Sequence, residues 1–218
     1  MVTVIGVLGS PIPDGNSGRL LDRALAGAKD AGCMTRLVIV TALDFQSCQE
    51  MYFCKDHSSC IFDDELNYLY PEFATAEGLI LATPIMTMGI PGPLKSFIDR
   101  FQVFYMAKYF RKQPLVSASL REIRKGLFIG ISGMNKPGGF EGTKQTVRAF
   151  FDIIDFHYLD ELLVPGMDKI RDIGTRPDLL DAAYRKGYDL GSLVMRSSLP
   201  MDSSGEISNL KELPKSQK

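Results

Sequence analysis

A chain of 218 residues, 45% of them hydrophobic, can bury one substantial core, and its formal net charge of −1 without a long basic block excludes an extended nucleic-acid surface. Strand-like residues follow Met1 with no basic segment between, and no apolar run reaches the ~18 residues that span a bilayer, so a soluble cytoplasmic protein without membrane contact is expected. The four cysteines, in a chain of this size, read as free thiols or a metal site rather than a disulfide framework.

In chain order, Thr3 to Leu8 is a short apolar run without strict alternation, the pattern of a strand covered on both faces. A small-residue loop, Gly9 to Ser17, leads into a helix whose Leu20, Leu21, Ala24, Leu25 and Ala28 share one face, with Gly32 placed to end it. A second strand over Arg36 to Val40 precedes an excursion holding Cys48, Cys54 and Cys60, after which Asp63, Asp64 and Glu65 open a helix on favourable terms with its dipole. Gly78 to Ala82 is the third strand. The loop Thr83-Pro-Ile-Met-Thr-Met-Gly-Ile-Pro91 follows it, then a helix carrying Leu94, Phe97, Ile98 and Phe101 on one face. Gly126 to Ile131 is the fourth strand, with the glycine-rich loop Ser132-Gly-Met-Asn-Lys-Pro-Gly-Gly139 and a helix over Val147, Phe150, Phe151 and Ile154 behind it. A fifth strand around Tyr158 to Val164 and a helix from about Pro177 to Met195 complete the count. Strands alternating with helices predict an α/β domain over residues 1–196 with a parallel sheet flanked on both faces by right-handed crossovers, and residues 197–218 read as a polar tail.

In such a sheet, ligands lie outside the carboxyl ends of the strands where strand order reverses, so the loops after strands one, three and four should meet. The first loop suits an anion. Unpaired amides in the first turn of a helix and its dipole stabilise negative charge, and Ser10, Asn16 and Ser17 offer side-chain donors. It is not a Walker motif, because five residues separate Gly9 from Gly15 and Asn16 stands where the lysine belongs; nor is there a Gly-x-Gly-x-x-Gly fingerprint. A single phosphate is the expected ligand. The second loop, with exposed backbone amides and apolar side chains, suits a flat heteroaromatic ring, and the third approaches that ring from the other edge.

Gly9-Ser-Pro-x-x-x-Gly-Asn-Ser17, Thr83-Pro-Ile-Met-Thr-Met-Gly89 and Gly92-Pro-Leu-Lys-Ser-Phe-Ile-Asp-Arg-Phe101 together resemble the flavodoxin-like NAD(P)H-dependent FMN reductases, including the iron–sulfur flavoproteins, over roughly residues 2 to 155. The resemblance implies a three-layer, doubly wound fold with a five-stranded parallel sheet of order 2-1-3-4-5. It implies FMN as cofactor, its phosphate on Ser10, Pro11, Gly15, Asn16 and Ser17, its ring beside Pro84, Ile85, Met86, Thr87, Met88 and Gly89, and Ser132 with Gly133 flanking that ring. It further implies NAD(P)H as co-substrate, a small-molecule or redox-protein electron acceptor, and a homodimer or homotetramer. Where many relatives carry a basic residue in the first loop this chain has Ile12, Pro13 and Asp14, so the amides, the dipole and Arg19 are expected to meet the phosphate charge; Ile85 stands where many have an aromatic.

Iron–sulfur flavoproteins carry four closely spaced cysteines in the excursion after strand two. Aligned on Cys48, the second of these falls on Met51, leaving Cys48, Cys54 and Cys60 as candidate ligands for an iron–sulfur cluster. With His57 they offer a Cys3His set acceptable to zinc; a decayed site with reduced thiols is the third reading, and Cys33 is structural. His157 lies at the sheet edge opposite the ligand loops and reads as non-catalytic. Phe101, Phe104, Tyr105, Tyr109 and Phe110 could roof the ring, form a subunit contact or fill the core. No hydrolase elbow, zincin helix or kinase set is present. The expected function is an FMN-dependent oxidoreductase in which hydride passes from NAD(P)H to flavin N5 and on to a quinone, flavin or similar acceptor. An electron carrier without NAD(P)H activity and a non-catalytic flavodoxin-like regulator remain as alternatives.

Overall fold

The computed structural model describes residues 1–198. Five strands, β1 (Thr3–Leu8), β2 (Met34–Ile39), β3 (Gly78–Pro84), β4 (Lys125–Ile131) and β5 (His157–Val164), pair in parallel in the order β2-β1-β3-β4-β5. This is the expected topology. The register is unbroken from Thr3↔Met34 to Leu8↔Ile39 and from Gly78↔Lys125 to Pro84↔Ile131; a single irregularity lies between Gly126 and Leu127 on the β5 side.

Each strand divides its side chains between two cores, because successive residues point to opposite faces. Ile5 and Val7 of β1, Leu79 and Leu81 of β3 and Phe128 of β4 join the aromatic core. That core lies under α2 (Glu65–Thr75), α3 (Gly92–Arg100) and α6 (Glu141–Ile153), which supply Phe73, Phe97, Phe150 and Phe151. Val4, Leu8, Ile80, Ala82, Leu127 and Ile129 face the other way, onto α1 (Asn16–Asp30) and the last long helix, Pro177–Ser197. The predicted apolar faces of α1, α3 and α6 are the buried ones. Short helical segments fill the connections: α4 (Gln102–Tyr105) with a π-helical turn at Met106–Phe110, α5 (Ala118–Ile123) and α7 (Met167–Ile170), which makes Pro177–Ser197 α8.

Helices α1 and α8 meet backbone to backbone. A Cβ at Gly187 would lie 1.9 Å from the Ala24 carbonyl oxygen, and one at Gly27 would lie 2.1 Å from that of Tyr184, so any side chain at either position forces the helices apart. The expected polar tail begins inside α8, whose last residue is Ser197, and its remainder, residues 199–218, lies outside the described residues. Among the described residues no helix is long and apolar enough to cross a membrane.

The aromatic run after α3 resolves unevenly. Phe101 and Phe104 are fully in the core, whereas Tyr105, Tyr109 and Phe110 are exposed. Helix α3 carries the run away from the loop that follows β3, and Tyr109 hydrogen-bonds Asp152 near the far end of α6, so the run does not roof a ligand bound at the strand ends.

Candidate functional site

All three predicted loops leave the carboxyl edge of the sheet, and each is fixed by a different local device. In the first, the Gly9 amide donates to the Ala82 carbonyl at 2.8 Å, extending the β1–β3 contact one residue past the strand. The buried Ser10 hydroxyl is then consumed within the loop, since it both accepts from the Ile12 amide and donates to the Ile12 carbonyl at 3.1 Å. A turn closed by the Gly15 amide on that same carbonyl sets Gly15 as the residue before α1, with no side chain capping the helix. The amides of Asn16, Ser17 and Gly18 therefore have no partner among the described residues, although Ser17 and Gly18 are buried. Three unpartnered donors thus stand at the positive end of a 15-residue helix, where negative charge is stabilised. The Ser17 hydroxyl also lacks a partner among the described residues and adds a fourth donor. Gly18 makes the cradle possible: a Cβ there would lie 1.8 Å from the Pro13 carbonyl oxygen.

Besides Ser10, two more of the groups expected to meet the phosphate are engaged elsewhere. Asn16 spans to the loop after β5, donating from Nδ2 to the Arg171 carbonyl at 2.9 Å and accepting at Oδ1 from the Ile173 amide at 3.0 Å. Arg19 is paired with Asp172, whose carboxylate also accepts from the Gly174 amide at 2.7 Å. That carboxylate is held below the usual range, chiefly by the Gly174 amide and then by Arg19. The expectation that Arg19 offsets the anion is thus corrected: its charge is already neutralised by an acid no spacing rule would have paired with it.

In the second loop the Ile85 amide continues the β3–β4 ladder, donating to Ile131 at 2.7 Å, and the chain then folds into a tight hairpin turn. Met86 and Gly89 exchange both backbone hydrogen bonds at 2.9 Å, with Thr87 and Met88 at φ 49° and 64°. Two consecutive non-glycine residues in the left-handed region form the turn that Asn-Gly adopts without strain. Among the backbone amides of this loop, expected to be exposed, those of Met86 and Gly89 are thus used up. Thr87 and Met88 keep theirs, without partners among the described residues. Replacing Thr87-Met88 by Asn-Gly is expected to raise unfolding stability by about 1–2 kcal/mol. A urea titration measures it, and an unchanged midpoint would show that the turn stores no strain.

The third loop is anchored to the segment after β5: Ser132 donates to Val164 at 2.9 Å and accepts from Met167 at 3.0 Å, and Gly133 accepts from Asp168 at 3.0 Å. A Cβ on Gly133 would lie 2.2 Å from the Asp168 carboxylate. Ile85, Thr87, Met88, Ser132 and Gly133 consequently line one cleft of about 230 Å³, joined by Asp168. The first loop does not line this cleft. Asp168 was missed by sequence reasoning, since a lone acid behind a glycine carries no spacing signal.

The three cysteines of the excursion are free and half-buried, and they line one cavity of about 30 Å³. His57 is not part of that wall. It stacks on Phe53 with ring centroids 3.8 Å apart, and its Nδ1 lies 3.0 Å from the Phe53 carbonyl oxygen. Among the described residues, no three His, Cys, Asp or Glu side chains converge on a single ion, so the Cys3His zinc set is not assembled. Cys33 lies across the sheet, its thiol donating to the Gly191 carbonyl at 3.6 Å.

The excursion hangs on a buried ion pair. Arg100, with a fully buried side chain, donates to both oxygens of Asp64 at 2.6 and 3.0 Å and to the Gln46 carbonyl at 2.6 Å; Asp64 is 11% exposed. Asp64 also caps α2 through the Asn67 amide and accepts from Gln46. Burial works to raise its pKa, and the Arg100 and Gln46 hydrogen bonds, the Arg100 charge and the Asn67 amide together bring it below the usual carboxylate range.

A parallel sheet of order 2-1-3-4-5 with helices on both faces is the flavodoxin-like topology. Residues 2–164 match the family described as NADPH-dependent FMN reductase, so the chain belongs to that family and is a flavin-dependent oxidoreductase. It is 28% identical over 150 residues to an iron–sulfur flavoprotein of Methanosarcina thermophila, covering 69% of this chain and 73% of that one. An iron–sulfur flavoprotein of Methanocaldococcus jannaschii is 28% identical over 149 residues, covering 68% and 70%. Among solved structures, an NAD(P)H:quinone oxidoreductase from Methanothermobacter marburgensis superposes with a TM-score of 0.67 at 19% identity, over 86% of this chain and 95% of that one. An FMN-dependent NADH-azoreductase from Bacillus anthracis, in complex with FMN, gives 0.64 at 14% identity, over 88% and 98%.

Proposed function

We propose that this chain binds FMN with its phosphate on the Ser10–Ser17 loop and its ring along residues 84–89, flanked by Ser132 and Gly133, and that it draws electrons from NAD(P)H and passes them to a quinone, a flavin or a redox protein. The observation that carries the reading is the open terminus of α1, where three backbone amides and the Ser17 hydroxyl stand ready for a phosphate with no cation in the loop. When bound, FMN supplies the hydride-accepting N5 and the storage of two electrons.

The chain's own residues bind and orient. The amides of Asn16, Ser17 and Gly18 fix the phosphate, and the Ser10–Ile12 bonds hold the loop in the shape that presents them. The amides of Thr87 and Met88, without partners among the described residues, would offer two donors to the polar edge of the ring, and such donors favour negative charge there. Ile85 and Met88 supply apolar contact in the same cleft. No side chain in the three loops is placed as an obligatory acid or base, consistent with a reaction in which the cofactor carries the chemistry. The likeness to a quinone oxidoreductase and an azoreductase supports an acceptor that is a small planar oxidant. We further propose a cytoplasmic homo-oligomer; the exposed Tyr105, Tyr109 and Phe110 give such an assembly a surface.

Fluorescence titration of the apoprotein with FMN, followed by stopped-flow reduction with NADH and NADPH, tests the proposal. Tight binding and rapid bleaching of the flavin absorbance are expected, whereas failure to take up FMN would overturn it. The cysteine-lined cavity favours one second reading, a carrier reduced by a protein donor, which would show FMN binding without reduction by either nucleotide. Within the phosphate loop, Asn16→Asp should lower FMN affinity on the order of tenfold or more through repulsion of the phosphate; it also loses the donation from Nδ2 to the Arg171 carbonyl, and a thermal melt beside the titration reads that structural cost separately. Unaltered affinity in that variant would place the phosphate elsewhere.

A further inference from the structure

The cleft between the loops after β3 and β4 is completed by a fourth segment, the chain after β5, which none of the flavin contacts proposed above uses. Three backbone hydrogen bonds pin it: Gly166 donates to Met134 at 3.3 Å, Met167 to Ser132 at 3.0 Å and Asp168 to Gly133 at 3.0 Å. A few residues on, Asn16 bonds the Arg171 carbonyl and the Ile173 amide, which ties the same segment to the loop after β1. Asp168 therefore stands on backbone that is held on both sides.

What this backbone presents to the cleft is an exposed carboxylate. Both of its oxygens and the carbon between them lie within 2.8 Å of the point that a Cβ on Gly133 would occupy, so the group rests on the face of that glycine. Gly133 is not in the left-handed region; the space it leaves, rather than a backbone angle, is what its missing side chain provides. Neither Asp168 oxygen has a hydrogen bond or an ion pair among the described residues. Helix α7, in whose first turn Asp168 lies, has four residues, so stabilisation of a helix dipole accounts for little of this placement.

The other charged side chain lining the cleft is Lys136, exposed and likewise unpaired among the described residues. Its ammonium is a strongly hydrated charge on a flexible four-carbon stem, whereas the Asp168 carboxylate follows its pinned backbone at the end of one methylene. Lys169 and Arg171 flank Asp168 in sequence without lining the cleft, and Asp172 is paired with Arg19. The fixed charge of the cleft is thus negative.

Resting on the flavin reading above, we propose that Asp168 sets the protonation of the reduced ring. A negative charge held at the ring cleft disfavours the anionic reduced form and favours the neutral one. Hydride from NAD(P)H brings two electrons and one hydrogen; with Asp168 in place a proton from water follows, which completes the neutral dihydro ring. Reoxidation then hands on two electrons and two protons together, which is what a quinone takes up in becoming a quinol.

The test is the midpoint potential of bound FMN, measured against pH in the full-length wild type, Asp168→Asn, Asp168→Glu and Lys136→Met. In each protein the slope halves at the pH where the reduced ring gives up its second proton. For Asp168→Asn that break should come about one pH unit lower than in the wild type, a roughly tenfold weaker hold on the proton. Below both breaks the two potentials should nearly coincide, because the ring is neutral in either redox state; above them the variant's should be the higher. Asp168→Glu keeps the charge and should return most of the shift, and Lys136→Met should move the break less, toward higher pH. An unmoved break in FMN-loaded Asp168→Asn would overturn the proposal. So would a shift that Asp168→Glu shares in full, the mark of a structural effect, or a larger shift from Lys136→Met. Flavin uptake is read separately by titration: FMN bound with an unmoved break defeats this inference alone, whereas wild-type protein that takes up no FMN defeats the flavin reading with it.

Discussion

Gly18→Ala is expected to weaken FMN binding roughly 10- to 100-fold while leaving a folded protein. The alanine methyl would lie 1.8 Å from the Pro13 carbonyl oxygen, a backbone atom that cannot rotate aside, so the loop must move away from the helix. Hydrogen bonds to a charged group contribute about 1.5–3 kcal/mol each, and displacing the loop by even part of this overlap misaligns at least one of the amides at 16–18. Stability responds less. Alanine in a helix is favoured over glycine by about 1 kcal/mol, which offsets part of the strain. FMN fluorescence titration beside a thermal melt separates the two effects; full affinity in the variant would mean that the phosphate does not sit on these amides.

The second large effect is on stability. Asp64→Asn should cost about 3–5 kcal/mol, because asparagine caps a helix as well as aspartate does but leaves the Arg100 guanidinium buried without a counter-charge. The substitution thus isolates the ion pair from the cap. Its pH dependence has a definite sign. The Asp64 carboxyl is held below its unfolded value, so its contribution is fully present above the unfolded carboxylate pKa of about 3.9 and is lost as pH falls through the lower folded one. The gap between wild type and variant in urea titrations should therefore be constant near neutrality and close below about pH 4. A gap that stayed constant into acid would show that the pair contributes no charge-dependent stability.

What the chain reveals before folding divides along physical lines. The five strands and their neighbours were legible because continuous Val, Ile and Leu runs and three-and-four spacings report burial directly. Helix α2 was readable only at its acidic start, since Pro71 interrupts its interior and weakens the propensity signal. The ligand loops were legible in place but not in detail. Nothing in the residues 16 and 19 distinguishes a phosphate ligand from a partner of Arg171, Ile173 or Asp172, because those contacts join segments more than a hundred and fifty residues apart. The sharing of the Met86–Gly89 amides is local but depends on turn type, and Thr87-Met88 carries none of the Asn-Gly signal that marks such a turn. The Arg100–Asp64 pair was invisible as a pair, although both residues were noted in their own helices. His57 looked like a ligand by spacing, yet its ring stacks against Phe53 outside the cysteine cavity.

The glycine contact between α1 and α8 has a consequence for the order in which the protein is made. Leu20, Leu21 and Ala24 of α1 lose water fully only when Ala183, Leu190 and Val194 of α8, more than 150 residues later in the chain, have been made. At about 5–20 residues per second that interval is on the order of ten seconds or more, during which the nascent chain presents an apolar stripe with no native cover. A side chain must be absent at Gly187 for α8 to close over that stripe, so the docking of α8 on α1 tolerates no slack. Variants that enlarge Gly27 or Gly187 would therefore declare themselves first as lost yield in the cell, before any defect in the flavin site is measured.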